Sequence, residues 1–196
     1  LNNSLTKSVY VEKLGGDTLK SENNVPILNP LSNDLDVMRQ SLIFNALEMI
    51  EHNQNRQNSD LRLFEFGKTY HKYATYTENK RLLIAVTGKK YSENWSDTSG
   101  NQNFYSLKGI VWSLFQRLGL DKFLKEKSLE NASLLDGIQL NVLKTKVGQI
   151  GLISGALKKQ FGIKNDVFIA DLDWDAILAS LKMAKTIYKE LPKTFA

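Results

Sequence analysis

The sequence predicts an α+β fold, a mainly antiparallel β-sheet flanked by helices, and three observations carry that expectation. Leu61, Leu63, Phe64 and Phe66, the run Thr69 to Tyr73, and the strongly apolar Arg81-Leu-Leu-Ile-Ala-Val-Thr-Gly88 succeed one another as strand-like segments, which together suggest an antiparallel sheet. Three further strand-like runs occur at Ile138 to Leu143, Val147 to Ser154 and Val167 to Leu172. Between the two groups, Phe104, Leu107, Val111, Leu114 and Leu118 keep helical a/d spacing, with Ile110 and Phe115 widening the stripe.

The first two dozen residues hold Val9, Tyr10 and Val11, then a Gly15-Gly16 turn, and read as a lead-in element and linker over residues 1–24. A core domain is expected over 25–196. It opens on Val25, Ile27 and Leu28, a short strand in which Pro26 lacks an amide donor and so suits a strand start or edge. The pair Asn29-Pro30 favours a turn, because the ring of Pro30 pushes Asn29 away from helical angles. Ser32, Asn33 and Asp34 offer oxygens to a helix start, with Asp36 loosely completing a capping box, and a later start capped by Ser41 is the alternative. Leu42, Ile43, Ala46, Leu47 and Ile50 then form a helical stripe, with Asn45, Glu48 and Glu51 on the water side. His52 to Asp60 is polar and turn-forming, and Gly67 is expected to end the strand that follows. Tyr91 to Asn103 reads as a loop in which Trp95 anchors to the core or stacks on a base or a partner. Asn101 or Asn103 can cap the central helix and Gly119 can end it, with Leu120 to Leu129 expected as a short lysine-rich helix. Ala156 to Phe161 reads as a brief helix, and Asp173 as the N-cap of a helix from Trp174 to Leu181.

Composition narrows the chemistry. The chain has no cysteine, which excludes disulfides and thiolate metal sites, and its two histidines leave little for an imidazole site. His71, alternating with tyrosines, is expected as a surface or packed histidine rather than a catalytic one. Asp171, Asp173 and Asp175 lack the glycine and terminal glutamate of a calcium-binding loop, so capping and helix-dipole compensation account for them. There is no Walker-type sequence. No apolar run approaches membrane-spanning length and no signal-peptide series occurs, so a cytoplasmic protein is expected. The start at Leu1 and the end at Leu191-Pro-Lys-Thr-Phe-Ala196 suggest a piece of a longer protein. A net charge of +5 permits contact with nucleic acid, but the 26 basic residues are dispersed, with local pairs at Lys89-Lys90 and Lys158-Lys159. Solvated surface lysines explain these pairs more simply than an RNA-facing patch does.

The succession Asn29-Pro30-Leu31-Ser32, Met38-Arg39-Gln40-Ser41-Leu42, His52 to Gln57 and Leu63-Phe64-Glu65-Phe66-Gly67 resembles the C-terminal, class II synthetase-like region of bacterial phenylalanyl-tRNA synthetase beta subunits. Phe104-Tyr105-Ser106-Leu107-Lys108-Gly109-Ile110 is similar to that family's aromatic helix start, and Ile169 to Asp173 to its late acidic strand. Ser154-Gly155-Ala156-Leu157 departs from the His-Pro pair many members carry there. The resemblance implies a class II aminoacyl-tRNA synthetase-like fold and structural or interface roles for Asn29, Pro30, Met38, Arg39, Leu42, Phe64, Glu65, Gly67, Lys108 and Gly109. It implies no catalytic, cofactor or metal residue in this stretch. The intact enzyme would pair two alpha with two beta chains, charge tRNA with phenylalanine and use ATP and magnesium, the alpha subunit holding ATP and phenylalanine.

Active class II members set one arginine in a middle strand and another after a late Gly-rich strand, where guanidinium groups steady the charge of ATP. Here Leu63-Phe64-Glu65-Phe66 has no such arginine, and none follows Arg117. A non-catalytic scaffold that binds the alpha subunit is therefore expected, with a basic RNA-binding module or an active class II-type ligase as alternatives. The scaffold predicts an exposed apolar patch. Arg39 either joins such an interface or makes a local bridge to Asp34, Asp36 or Glu65.

Overall fold

The computed structural model describes residues 4–15, 19–30, 35–91, 100–129 and 133–183. The elements are β1 (Leu5–Thr6), α1 (Ser8–Leu14), β2 (Val25–Pro26), β3 (Val37–Met38), α2 (Ile43–Asn55), β4 (Leu61–Lys72), β5 (Tyr76–Thr87), α3 (Phe104–Arg117), β6 (Leu124–Leu129), β7 (Leu134–Val142), β8 (Thr145–Ile153), α4 (Gly155–Gln160), β9 (Val167–Asp173) and α5 (Trp174–Met183). Six strands form one sheet in the order β4-β5-β9-β8-β7-β6, every neighbour antiparallel. A small sheet of order β1-β3-β2 stands beside it. The expected α+β architecture is present.

The sheet is covered on both faces. On one, which we call the front, Leu47 and Ile50 of α2, Val11 of α1 and Leu157 of α4 bury Leu83, Ala85 and Ile169. On the other, the back, α3 and α5 place Leu107, Val111, Phe115 and Ile177 over Leu82, Ile84, Leu140 and Ile150. Central β9 is consequently buried from Val167 through Leu172, with no alternation. Each fully buried aliphatic side chain contributes about 1.5–3 kcal/mol.

Local chemistry explains most boundaries. Ser41 Oγ accepts from Ile43 N at 3.2 Å, so α2 takes the later of its two possible starts; Ser32, Asn33 and Asp34 lie outside the described residues. All five stripe residues, Leu42, Ile43, Ala46, Leu47 and Ile50, are buried. Asn103 and Ser106 close a capping box at α3, and Gly119, at φ 69°, ends it. Ser154 caps α4 and Asp173 caps α5, where Asp173 Oδ1 accepts from Ala176 N at 2.9 Å.

Several expected elements change. Gly67 does not end its strand: Thr69 to Lys72 continue β4, and the returning strand is β5. Leu120 to Leu129 is a single 3-10 turn at Asp121–Phe123 followed by β6, because Leu124–Leu129 pairs with β7 as the edge strand of the sheet. The strand at Val25 is two residues long, and Leu28 is almost fully exposed. From the lead-in, β1 pairs with β3, and Val11 is buried in the front core. Trp95 lies outside the described residues.

Candidate functional site

β3 ends at Met38, and the residue after it, Arg39, turns into the front face at the β4 edge. Its backbone is tied on both sides, donating to Ser4 O at 3.0 Å and accepting from Tyr70 N at 2.9 Å. Its side chain is buried; Nε donates to Lys68 O at 3.0 Å, and Nη2 stands 2.7 Å from Glu65 Oε1. Glu65 Oε1 accepts no well-directed hydrogen bond, so the pair is an ion contact held by its surroundings. Those surroundings include Gly67, where an added Cβ would meet the guanidinium, Glu65 Oε1 and Leu42 Cδ2. The glycine is needed for close approach, not for backbone freedom.

Arg39, Leu42, Glu65 and Gly67, named from the sequence, therefore meet in one cluster, with the half-buried Met38 immediately before Arg39. The others stand apart. Asn29 and Pro30 lie on an exposed bend. Lys108 and Gly109 are on α3, where Lys108 Nζ pairs with Glu126 at 2.7 Å and sits 4.8 Å from the Trp112 ring. Phe64 alternates onto the back of β4 and is 72% exposed.

Sequence reasoning missed a second cluster. A front-face pocket of about 290 Å³ is lined by Gln40, Thr69, His71, Asn79, Arg81, Lys146, Gln149, Asp171 and Asp173, among others. Arg81 holds Asp171 through two hydrogen bonds, Nε to Oδ1 at 3.0 Å and Nη2 to Oδ2 at 2.6 Å, while Nη1 reaches Asp173 Oδ2 at 3.5 Å. Burial works against the guanidinium charge, but the two carboxylates outweigh it and raise the Arg81 pKa. The acidic trio thus divides its work: Asp171 pairs with Arg81, Asp173 caps α5, and Asp175 accepts from Lys80 N at 2.8 Å. The available signal was an arginine and two aspartates in otherwise apolar strands, since a charge set in such a strand calls for a partner.

His71 borders this pocket, stacked on Tyr73 at 5.6 Å between ring centroids. Burial, and then the nearby Arg81 charge, lower its pKa below the ordinary 6.5. A histidine that resists protonation in the folded state adds stability above its unfolded pKa, and that stability is lost as pH falls through the folded value. We expect stability to decline with acidification below about pH 6.5, and His71→Asn to flatten that part of a melting-temperature profile. An unchanged profile would show that His71 does not contribute to it.

The fold is that of class II aminoacyl-tRNA synthetases. Two solved structures of pyrrolysyl-tRNA synthetase from Desulfitobacterium hafniense superpose with TM-scores of 0.68 and 0.67 over 95% of this chain and 66% of theirs, at 12% and 13% identity. The family model for the phenylalanyl tRNA synthetase beta chain CLM domain matches residues 1–174, and the chain belongs to that family. Among its relatives are proteins named phenylalanine–tRNA ligase beta subunit from Bacteroides fragilis, 40% identical, Bacteroides thetaiotaomicron, 39%, and Porphyromonas gingivalis, 32%. Each alignment takes in 98% of this chain and 25% of the relative, so the chain spans about a quarter of their length. No helix among the described residues is long and apolar enough to cross a membrane.

Proposed function

We propose that this domain is a non-catalytic scaffold of a phenylalanine–tRNA ligase beta subunit, docking the alpha subunit that carries out ATP-dependent charging of tRNA. The observation that carries this is an uncovered apolar face. α3 and α5 lie over β5, β9 and β8. Toward edge strand β4, Trp174 at the start of α5 meets the Phe66 ring edge-on at 4.9 Å, while Phe64 (72% exposed) stands open beside Ile110 (40%), with Phe66 itself 50% exposed. Leu82, Ile84, Val86 and Leu114 floor the same hollow of about 330 Å³, with Arg62 at its rim. An aromatic apolar patch with a polar rim is how a stable protein interface is built.

The front pocket supports the non-catalytic half of the proposal. The class II way of holding a triphosphate uses free guanidinium groups, whereas the arginine here is neutralised by Asp171 and Asp173. These residues do not fit ATP, and no chemical step is assigned to them. ATP and magnesium would act in the alpha subunit of an assembly of two alpha and two beta chains in the cytoplasm, with tRNA reaching this chain through that assembly. Arg39 and Glu65 would keep β4 in place beneath the docking face, with Asn29, Pro30, Met38, Leu42, Gly67, Lys108 and Gly109 as structural supports.

The test is light scattering on chromatographed mixtures of the alpha subunit with a beta subunit carrying this domain. Phe64→Glu with Ile110→Glu should weaken association at least about 30-fold, the scale of an interface hot spot, while thermal stability stays within a few degrees. Undiminished association would remove the apolar face from the interface.

A further inference from the structure

Lysines scattered along the sequence are gathered by strand register onto one open surface. On β6, Lys125 and Lys127 share the front face, and their partners on β7 are Asn141 and Gln139. Continuing across the sheet, Asn141 faces Lys146 and Gln139 faces Gln149 on β8, whose own partner on β9 is Asp171. Lys125, Lys127 and Lys146 are all exposed. Among the described residues, none of the three lies within ion-pair distance of a carboxylate. The one acidic residue of β6, Glu126, alternates to the back face, where Lys108 takes it. The strand thus sorts its charges, cations to the front and the anion to the back.

We propose that this front face of β6, β7 and β8 binds the sugar-phosphate backbone of RNA. Lysines two residues apart on one strand face stand about 7 Å apart, close to the separation of successive phosphates along a nucleic-acid strand. Lys146, two strands over from Lys125, extends the track by about 10 Å toward the Arg81 pocket. Gln139 and Asn141 lie on β7 beside the lysines, Gln139 Nε2 donating to Asn141 Oδ1 at 2.9 Å, and Gln149 follows on β8. The amide atoms outside that bond can donate to phosphates and exchange hydrogen bonds with ribose hydroxyls. No aromatic residue stands among these six, so bases are not stacked and binding tolerates any sequence. The surface is separate from the apolar face of β4, and its RNA binding stands whether or not an alpha subunit docks there.

The test uses this chain with fluorescently labelled tRNA transcript and with a uridine homopolymer, measuring anisotropy at 50 and 200 mM salt. Three phosphate contacts at a slope of about −0.7 each predict that affinity for the homopolymer falls about twentyfold between those concentrations. Changing Lys125, Lys127 and Lys146 together to Gln should weaken binding of both RNAs and flatten the homopolymer's log–log slope by about 2. An equal change of charge at the exposed Lys13, Lys72 and Lys164 should leave both values near those of the unmodified chain. The proposal is overturned by absence of binding at 50 mM salt, or by equal losses in the two triple variants. It is also overturned if polyglutamate displaces RNA as well as RNA does, which would make the face a site for acidic protein.

Discussion

Arg39→Ala is expected to cost the chain about 3 kcal/mol of stability in urea denaturation, the lower end of the range for breaking a buried ion pair. Arg39 is almost completely buried, while the side chain of Glu65 keeps 21% exposure, and water reaching the orphaned carboxylate relieves part of the loss. Losing the Nε hydrogen bond to Lys68 O and opening a cavity beneath Leu42 add to it. If most of the loss comes from the broken ion contact, Arg39→Leu with Glu65→Leu should recover much of the stability, because two apolar groups leave no unpaired charge. An Arg39→Ala chain as stable as the original, but unable to assemble with an alpha subunit, would instead assign Arg39 to the interface.

Asp171→Ala should be the next most damaging change, costing about 2 kcal/mol. It removes both short hydrogen bonds of Arg81 and leaves only the 3.5 Å contact with Asp173. The Arg81 side chain is 22% exposed, so hydration limits the cost. A double-mutant cycle with Arg81→Ala should return a coupling energy of about 2 kcal/mol. Coupling near zero would mean that the pair contributes nothing beyond its packing.

Features set by neighbouring residues could be read from the sequence. The apolar stripe of α2, the capping of α3 by Asn103 and its end at Gly119, the Ser154 helix and the Asp173 cap all depend on spacing within a few residues. Where two local solutions competed, the chain alone did not choose. Ser41 prevailed over the earlier helix start because β3 takes up Val37 and Met38. Leu120 to Leu129 carries too few apolar residues to reveal its period, and pairing with β7 made Leu124–Leu129 a strand.

The site was legible in the same proportion. Arg39 and Glu65 stood out by resemblance, with Asp34 and Asp36, much nearer in sequence, as rival partners for the arginine; the course of β4 past Arg39 decided for Glu65. Gly67 looked like a terminator, since a strand glycine and a turn glycine are spelled alike, and only the guanidinium packed against it explains its place. Arg81 and Asp171 are 90 positions apart and meet through the β5–β9 register, while Lys125 and Lys146 share a face through β7. By itself the sequence determined the fold class, the caps of α3, α4 and α5 and the want of a synthetase-type arginine in the Leu63–Phe66 strand, because each is written in local periodicity, caps or residue identity. Tertiary structure alone decided which charges are neutralised, which lysines stand together and which apolar face is left open, because those depend on strand register and helix placement, set by contacts between distant residues.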